Sequence, residues 1–337
     1  MNHNENFTVP PSIMEEIGES GSVLLTGHTD PDGDCIGSQL ALASFLRRLG
    51  KEAYPLAELP FRRDEINPFQ ERFLENIPEF KKEQDTPPDL LIVLDVSTQE
   101  RLGRFSSLPE RYPTIIIDHH ASGTPFGRHQ WIEPTAASVT LMIYTLIRAM
   151  GEEIEPEEAQ FLFLGLATDT GFFRHLDGKG GAALKAAGEL TSFGASPKEI
   201  YSLIYGNRSL ASRKFLGKLL DRAETVYNGQ VLFTYEYLKD QREFGKEERD
   251  SDSLYQQLFG VAGVEVVVYI RQEQSDRCSV GLRSKHRIDV GTLAREYGGG
   301  GHPRAAGFET GGSVRSVRNS LYQHLAQVSD FTEGEPV

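Results

Sequence analysis

The chain has 337 residues, of which 39% are hydrophobic and 25% are charged, and its formal net charge at pH 7 is -14. This composition is typical of a folded globular protein, and the length allows two domains. The negative charge disfavours tight binding of long nucleic acid, which depends on Lys and Arg neutralising many phosphates. A small anionic substrate is still allowed, because a local cationic patch or bound metal ions can attract it.

The amino-terminal 22 residues carry no basic region followed by an apolar core, which argues against a signal or transit peptide. The longest apolar runs, such as residues 90–94 and 115–117, have the length of strands, well short of the roughly 20 residues that span a bilayer. Two cysteines, Cys35 and Cys278, cannot form a disulfide framework. We therefore expect a cytoplasmic protein that has no membrane partner.

In the first half, between Gly21 and about Gly171, short apolar runs alternate with helical stretches. This alternation predicts βαβ units and a doubly wound, mostly parallel sheet. Runs without alternating polarity indicate central strands that are covered on both faces. The predicted strands cover residues 22–27, 90–96 and 114–118, and the predicted helices cover residues 36–49, 137–150 and 156–167.

The second half is predicted to be a helical linker followed by a smaller, mixed α/β domain. Residues 182–228 have a helical pattern that is broken near Gly194 and Gly206. After Gly229 we expect strands at residues 231–237, 264–271 and 278–282, with helices at 254–259, 290–297 and 314–328. The predicted division is a first domain in residues 1–185, a linker in 186–228 and a second domain in 229–330.

The first polar motif, His28-Thr-Asp-Pro-Asp-Gly-Asp34, lies between a predicted strand and a predicted helix. One imidazole and up to three carboxylates form a ligand set that suits Mn²⁺ or Mg²⁺. An Asx-rich turn that caps the helix, with Gly33 at a positive φ, would explain the same residues equally well. The motif alone leaves both interpretations open.

Three further polar groups follow apolar segments: Asp95, Asp118-His119-His120 and Asp169. Asp95 could instead cap a helix, and Asp169 could be a solvated residue in a turn. However, a carboxylate at the tip of a buried strand needs a cation or hydrogen bonds. Because three of the four groups end strands of one predicted sheet, they can converge on a single edge. This convergence favours a metal site.

These motifs, in this order, resemble those of the DHH phosphoesterases. Val280-Gly-Leu-Arg-Ser284, Gly298-Gly-Gly-Gly-His302 and Ala305-Ala-Gly307 resemble the DHH-associated domain of the same family. The short nano-RNase type, which degrades RNAs of two to five nucleotides and dephosphorylates adenosine 3′,5′-bisphosphate (pAp), is most similar. RecJ nucleases usually carry an additional nucleic-acid-binding domain, and family II pyrophosphatases have a different second domain.

The resemblance implies two divalent metal ions, Mn²⁺ foremost, with Mg²⁺ and Co²⁺ as alternatives. Two such ions would lower the pKa of a bridging water and stabilise an in-line phosphoryl transition state. Asp30 matches no ligand position of the family. By motif position, His28 and Asp32 would hold one ion, Asp34, His119 and Asp169 would hold the other, and Asp95 would contact both.

The resemblance also implies catalytic and substrate-binding residues. Asp95, Asp118 and His120 would take part in catalysis, with Asp118 orienting His119 and with His120 facing the substrate phosphate. The active site would lie in a cleft between the domains. The terminal phosphate or ribose would be held by Arg283, Ser284, Gly300 and His302.

Several residues allow two interpretations. The glycines at 298–301 could form a flexible turn, but they do not form a P-loop, and we favour close approach of the backbone to an anion. Cys35 is expected to pack as a small hydrophobe, with an altered metal preference or redox sensitivity as the alternative. Exposed cationic residues could contact either phosphate or solvent: Arg101, Arg174 and His175.

The sequence thus predicts a hydrolase of very short oligoribonucleotides, acting as an exonuclease that releases mononucleotides, and of pAp, which it converts to AMP. A phosphodiesterase of cyclic or linear dinucleotides (cyclic di-AMP, pApA, pGpG) is one alternative. A catalytically silent nucleotide-binding regulator is another, although the intact ligand set argues against it. The expected partner is a small nucleotide or short RNA, long nucleic acid is excluded, and a homodimer is left open.

Overall fold

The computed structural model describes residues 7–78, 87–96, 98–121, 123–124, 126–178, 180–206 and 208–327. The chain forms two compact units, with the boundary after Asn207. This boundary lies inside the segment 186–228 that the sequence predicts as a linker, and the predicted domain limits themselves stay a prediction. No helix within these ranges is long and apolar enough to cross a membrane.

The first unit is built on a five-stranded sheet in the order β2-β1-β3-β4-β5, and every neighbouring pair is parallel. This confirms the predicted parallel α/β architecture. The five strands are β1 (Ser22–Thr26), β2 (Glu52–Leu56), β3 (Leu90–Leu94), β4 (Thr114–Asp118) and β5 (His129–Ile132).

Both faces of this sheet are covered, which explains why the strand sequences are continuously apolar. In β3, Leu90, Ile92 and Leu94 pack into the larger core, whereas Leu91 and Val93 pack into a smaller core on the other face. The smaller core is closed by the 3₁₀ segments Gln99–Phe105 and Leu108–Glu110. The helices of the unit are α1 (Pro11–Glu19), α2 (Gly33–Arg48), α3 (Val139–Ala149), α4 (Pro156–Asp169), α5 (Gly181–Ser192) and α6 (Pro197–Tyr205).

Close packing of α2, α3 and α4 brings polar residues of separate helices together. A Cβ atom at Gly165 of α4 would lie 2.3 Å from Thr140 Cγ2 and 2.7 Å from Asp34 Oδ1. Because real Cβ atoms do not come this close to other atoms, only glycine allows α4 to approach the beginnings of α2 and α3. Asp34 is therefore enclosed between three helices.

The second unit contains a mixed six-stranded sheet in the order β10-β11-β9-β8-β7-β6, as the sequence predicts for an α/β domain. Only β7 and β8 are parallel. Its strands are β6 (Glu224–Val226), β7 (Val231–Glu236), β8 (Val266–Gln274), β9 (Arg277–Ser284), β10 (Gly300–His302) and β11 (Ala305–Gly311), and its helices are α7 (Leu210–Asp221), α8 (Leu238–Phe244), α9 (Ser251–Phe259), α10 (Val290–Glu296) and α11 (Val314–Leu325).

Helices cover the two faces of the second sheet unequally. On one face, Phe215 of α7 and Leu254 of α9 pack against β7 and β8. On the other face, Leu293 of α10 and Leu321 of α11 pack into a separate core that includes residues of β9 and β11. On the first face, the core under α7 and α9 is formed with β7 and β8, and β9 contacts α9 through Tyr255 at its edge.

The prediction of a fully helical segment 182–228 is wrong at its end. Residues 224–226 form β6, which is antiparallel to β7. Tyr227, Asn228 and Gly229 all have positive φ and form the turn between these two strands. Three successive left-handed residues are incompatible with a helix and allow a tight hairpin, and the Asn228-Gly229 pair is a sequence signal for such a turn that the helical prediction overlooked.

Candidate active site

The polar residues that follow β1, β3 and β4, together with Asp169 at the end of α4, line one pocket of about 580 Å³. The carboxyl ends of parallel strands lie at the same edge of the sheet, so residues distant in sequence meet there. The convergence that the sequence predicts is thus present in the geometry. The pocket is lined by His28, Asp32, Asp95, His119, His120 and Asp169, together with Asp30, Arg63 and Arg101.

Asp95 lies at the centre of the site and is only 3% exposed. It follows β3 with a φ of 61°, a left-handed conformation that is uncommon for a residue other than glycine. Its Oδ2 lies 3.5 Å from His28 Nε2, and its Oδ1 lies 3.8 Å from His119 Nε2 and 3.6 Å from His120 Nδ1. One carboxylate therefore faces three imidazole rings.

The ring of His119 is held by the main chain of another loop. Its Nδ1 lies 3.1 Å from the carbonyl oxygen of Ala136. Because a carbonyl only accepts, this hydrogen bond places the proton on Nδ1 and leaves the lone pair on Nε2. Nε2 then faces Asp169 Oδ2 at 3.2 Å, which is the orientation that a metal-binding imidazole needs.

Asp118 is fully buried and binds the segment that follows it. Its Oδ1 accepts hydrogen bonds from the backbone N–H groups of His119 (2.8 Å) and His120 (3.3 Å), and from the ring Nδ1 of His120 (2.7 Å). The expectation that Asp118 orients the ring of His119 is therefore wrong. The chain turns over the carboxylate after β4, and this turn brings the second histidine, not the first, back to it.

Asp34 and Asp32 both cap helices. The fully buried Asp34 accepts hydrogen bonds from Val139 N (2.6 Å), Thr140 N (2.8 Å) and Thr140 Oγ1 (2.7 Å) at the beginning of α3. Asp32 Oδ1 accepts from the N–H groups of Asp34 (3.0 Å) and Cys35 (3.1 Å) at the beginning of α2. The helix-capping interpretation of this motif is therefore correct for Asp32, which also lines the pocket. The expected positive φ at Gly33 is wrong, because Gly33 is the first residue of α2 and has helical backbone geometry.

Within the described ranges, three groups of side chains bring potential metal-ligand atoms within 4.8 Å of one another. Five of the six predicted ligands belong to these groups. Asp32 belongs to none of them, and Cys35 and His120 are additions that were not predicted as ligands. The groups are His28, Cys35 and Asp95; Asp95, His119 and His120; and Asp34, His119 and Asp169.

The carboxylates of the site fit bound cations because they cannot all ionise without one. Burial, followed by repulsion from Asp34 and Asp32, raises the pKa of Asp169 to about 9. Burial and the same two neighbours raise the pKa of Asp95 well above its ordinary value. In His28, burial lowers the pKa and outweighs the opposing effect of Asp32, which keeps the imidazole neutral for coordination.

Cys35 is fully buried in the first turn of α2. Its Sγ would lie 2.1 Å from a Cβ atom built at Gly27, so the thiol fills space that only a glycine leaves. Burial, followed by repulsion from Asp95 and Asp32, raises the pKa of the thiol well above its ordinary value. A neutral, enclosed thiol agrees with the expectation of a small hydrophobe.

Sequence reasoning missed Arg63 and left Arg101 undecided between phosphate and solvent, and both line the pocket. Arg101 is placed by its own backbone, since its carbonyl accepts a hydrogen bond from Thr29 N (3.0 Å) next to His28. Arg63 lies in an irregular segment after β2 and gives no motif signal. In contrast, Arg174 and His175 contact each other at 3.2 Å and do not line this pocket.

The residues that the sequence assigns to substrate binding in the second unit do not all share one face. Arg283 of β9 lies opposite Ala305, and His302 of β10 lies opposite the same Ala305, so these residues form one row across three strands. Gly300 lies two residues from His302, in the adjacent row. Ser284 points the other way, because its hydroxyl is buried and donates to Glu265 Oε1 at 3.2 Å.

Comparison with known proteins agrees with both units. The model of the DHH family, N-terminal domain, matches residues 22–166, and the model of the DHHA1 domain matches residues 228–328. A bifunctional oligoribonuclease and PAP phosphatase, NrnA of Thermus thermophilus, is 31% identical over 90% of this chain and 88% of its own. NrnA of Bacillus subtilis is 31% identical over 88% of this chain and 91% of its own.

The fold is also found in a solved structure, an exopolyphosphatase-related protein from Bacteroides fragilis. The TM-score is 0.80 at 22% sequence identity, and the match covers 96% of this chain and 98% of that protein. The similarity in sequence to the two NrnA proteins extends over both units. The chain therefore belongs to the DHH family of phosphoesterases and carries the DHHA1 domain in its second unit.

Proposed function

We propose that this chain hydrolyses phosphate esters in very short oligoribonucleotides, releasing mononucleotides, and converts pAp to AMP. The arrangement of Asp95 between three imidazoles, beside the group of Asp34, His119 and Asp169, carries the proposal. The two NrnA relatives, which are named for both activities, support this substrate class. The cytoplasmic location and the homodimer stay predictions.

We further propose that the site holds two divalent ions, with Mn²⁺ as the metal used. When bound, such ions supply an activated water and stabilise charge on a phosphoryl group. Asp95 would contact both ions, because its two oxygens face different histidines. His28 and Asp32 would complete one set of ligands, and Asp34, His119 and Asp169 would complete the other.

Around the proposed metal site, three groups would act on the substrate directly. His120 is the more accessible of the two histidines, with 39% of its side chain exposed against 18% for His119. When its ring carries a proton on both nitrogens, His120 can donate from Nδ1 to Asp118 and from Nε2 to a phosphate oxygen. Arg63 and Arg101 would attract the anionic substrate to a protein whose net charge repels it.

In the second unit, we propose that Arg283 and His302 bind a terminal phosphate or ribose, with Gly300 allowing close approach of the ligand to the strand. The guanidinium of Arg283 lies 4.6 Å from the centre of the Tyr255 ring. A stacked guanidinium keeps its N–H groups in a fixed plane, and this suits a bidentate contact to phosphate. Ser284 would act indirectly, by fixing the segment after β9 through Glu265.

A hydrolysis panel in Mn²⁺ tests the proposed function. The substrates are pAp, pApA, cyclic di-AMP, a 5-nucleotide RNA and a 24-nucleotide RNA, and parallel reactions contain Mg²⁺, Co²⁺ or EDTA. We expect the highest kcat/KM for pAp and the 5-nucleotide RNA, and loss of activity in EDTA. Equal turnover of the 24-nucleotide RNA would sink the short-substrate proposal. A preference for cyclic di-AMP or pApA would instead identify a dinucleotide phosphodiesterase, and binding without turnover would identify a silent regulator.

A further inference from the structure

The face of β9 and β11 that lies on the same side as α9 carries a second cationic position beyond Arg283. Arg271 of β8 lies opposite Ser279 of β9, which lies opposite Glu309 of β11. In antiparallel pairs, residues that lie opposite each other point to the same face. Arg283 is on this face too, because it lies four residues from Ser279 on the same strand and side chains alternate. The two arginines thus stand at opposite ends of one surface.

A row of glycines separates these two ends. Gly281, Gly307 and Gly300 lie opposite one another on β9, β11 and β10, and Tyr269 of β8 extends the row. Without side chains, this part of the sheet exposes its backbone to a ligand. With about 3.4 Å per residue, the row of Arg271 lies roughly 14 Å from the row of Arg283. This span exceeds the distance between neighbouring phosphates of an extended strand.

The surface forms the floor of a pocket of about 460 Å³, with Tyr255 of α9 as one wall. The Tyr255 hydroxyl reaches over Gly281, since a Cβ atom there would lie 2.2 Å from it. No hydrogen-bond partner of this hydroxyl is found in the described part of the chain. Burial raises the pKa of Tyr255, and the positive charges of Arg283 and Arg271 oppose that effect. Both arginines line this pocket together with Tyr255.

The Arg271 side chain is fixed in place and has an unused donor. Its Nη2 donates to Ser279 Oγ at 2.7 Å, and its guanidinium lies 5.6 Å from the centre of the Tyr269 ring. Its Nε is buried and has no hydrogen-bond partner among the residues that the structure describes. Buried donors in proteins almost always have an acceptor, so a missing one points to a ligand oxygen.

The acidic residues near Arg271 have other cationic partners. Glu309 forms an ion pair with Arg277 at 3.2 Å. Glu273 forms ion pairs with Lys246 at 2.7 Å and Arg249 at 3.3 Å. The guanidinium of Arg271 therefore remains available to an anion from solution.

We propose that Arg271, with Ser279 and the Tyr255 hydroxyl, forms a second anion subsite that binds an internucleotide phosphate of an oligonucleotide whose terminal phosphate is held at Arg283 and His302. The inference rests on the proposed function. It adds that this sheet face distinguishes substrates by their length. An RNA of several nucleotides reaches both Arg283 and Arg271, whereas pAp and a dinucleotide reach only Arg283. Arg271 is thus a specificity-determining residue for longer substrates within the short range.

Kinetics of Arg271→Ala test the subsite, with Arg315→Ala as the matched control. Arg315 is exposed on α11, which packs against the opposite face of the sheet. Replacing Arg315 by Ala changes the net charge by the same amount as Arg271→Ala but leaves the proposed subsite intact.

We expect Arg271→Ala to raise KM for a 5-nucleotide RNA about tenfold, the loss expected for one charge-assisted hydrogen bond. The KM for pApA and pAp and all kcat values should stay within about twofold, and Arg271→Lys should recover only part of the loss, because Lys lacks the guanidinium fork. An equal rise for pApA, no rise at all, or the same rise in Arg315→Ala would overturn the proposal.

Binding without turnover separates this inference from the proposed function. Calorimetric titration of the 5-nucleotide RNA into the EDTA-treated protein measures affinity even when nothing is hydrolysed. Tighter binding to the parent chain and to Arg315→Ala than to Arg271→Ala supports the subsite whatever the hydrolysis panel shows. Equal affinities for all three proteins, or no binding to the parent chain, would remove the subsite. A matching melting temperature of Arg271→Ala verifies that this variant is folded.

Discussion

The carboxylate of Asp118 holds the ring of His120, with 2.7 Å between Oδ1 and Nδ1. Its neighbour His119 is held instead by the carbonyl of Ala136. Two adjacent histidines thus have different hydrogen-bond partners, which fits the different roles proposed for them. The ring of His119 presents Nε2 to the carboxylates of the proposed metal site, and the ring of His120 lines the pocket.

Asp118 is therefore a positioning residue for His120. We expect Asp118→Asn to lower kcat by about 10- to 100-fold, the range for loss of a carboxylate that orients a histidine, while the number of bound metal ions is unchanged. In a His120→Ala background, the same substitution should have little further effect, because the ring that Asp118 orients is gone. Additive losses, or a lower metal content in Asp118→Asn, would contradict this role.

His119 should be required for metal binding. We expect His119→Ala to lower kcat/KM by at least about 100-fold and to remove one bound ion, since Nε2 faces both Asp95 and Asp169. His129→Ala serves as the control, because His129 lies on β5 and pairs with Glu16 outside the pocket. Calorimetric titration with Mn²⁺ measures the stoichiometry. Full activity and two bound ions in His119→Ala would refute the ligand assignment.

The stability of the metal-free protein should fall as pH rises. Asp169 has a pKa of about 9 in the folded chain, against an ordinary value of 3.8, so the folded state binds its proton more tightly than the unfolded state does. The resulting stabilisation is complete below about pH 4 and is lost as pH rises through about 9. In EDTA we expect a lower Tm at pH 8.5 than at pH 5.5, and a larger increase with Mn²⁺ at the higher pH.

Asp169→Asn is the control for this pH dependence, because the amide has a similar shape and does not titrate. Its Tm in EDTA should decline less between the two pH values than that of the parent chain. Identical declines would show that other groups control the effect.

Asp240 should stabilise the second unit at neutral pH. It is fully buried, and it accepts hydrogen bonds from Arg222 Nη2 and from Tyr237 N, both at 2.8 Å. Burial acts against ionisation, but these contacts outweigh it and lower the pKa to about 2. We expect Asp240→Asn to reduce the free energy of unfolding by roughly 3 kcal/mol at pH 7, as for a broken buried ion pair.

Because the pKa of Asp240 is lowered, its contribution is present above about pH 4 and is lost as pH falls towards 2. Urea denaturation at pH 7 and pH 3 should show a smaller difference between parent and variant at the lower pH. Glu243→Gln removes the more exposed partner of Lys218 and should cost less than about 1 kcal/mol. If Asp240→Asn lowered the free energy of unfolding as little as Glu243→Gln does, the ion pair between Asp240 and Arg222 would not be stabilising.

The elements that sequence predicts best are those whose own residues determine them. Strands β3 and β4 are continuous apolar runs, and such runs are typical of central parallel strands. In contrast, β2 contains Pro55, and β10 and β11 are rich in glycine, which weakens any strand signal. These strands depend on pairing with neighbours that a local pattern does not reveal.

The site divides in the same way. The metal-ligand candidates lie in short motifs at the ends of three strands and of helix α4, so they can be found from sequence. The carbonyl of Ala136 and the guanidinium of Arg63 reach the site from irregular segments, and their positions depend on the packing of the whole unit. For the same reason, the sequence predicted that Asp118 orients the ring of His119, whereas it contacts the ring of His120. Both histidines lie within two residues of Asp118, and the turn after β4 determines which ring reaches its carboxylate.

Asp34 ties the proposed metal site to the beginning of α3, because one carboxylate accepts from both Val139 N and Thr140 N while it faces His119 and Asp169. A cation that draws electron density from these oxygens weakens the same two hydrogen bonds. The amide protons of Val139 and Thr140 would then report metal loading as a change in deuterium exchange or NMR chemical shift. Metal occupancy of the proposed site could thus be measured at the beginning of α3, without any substrate.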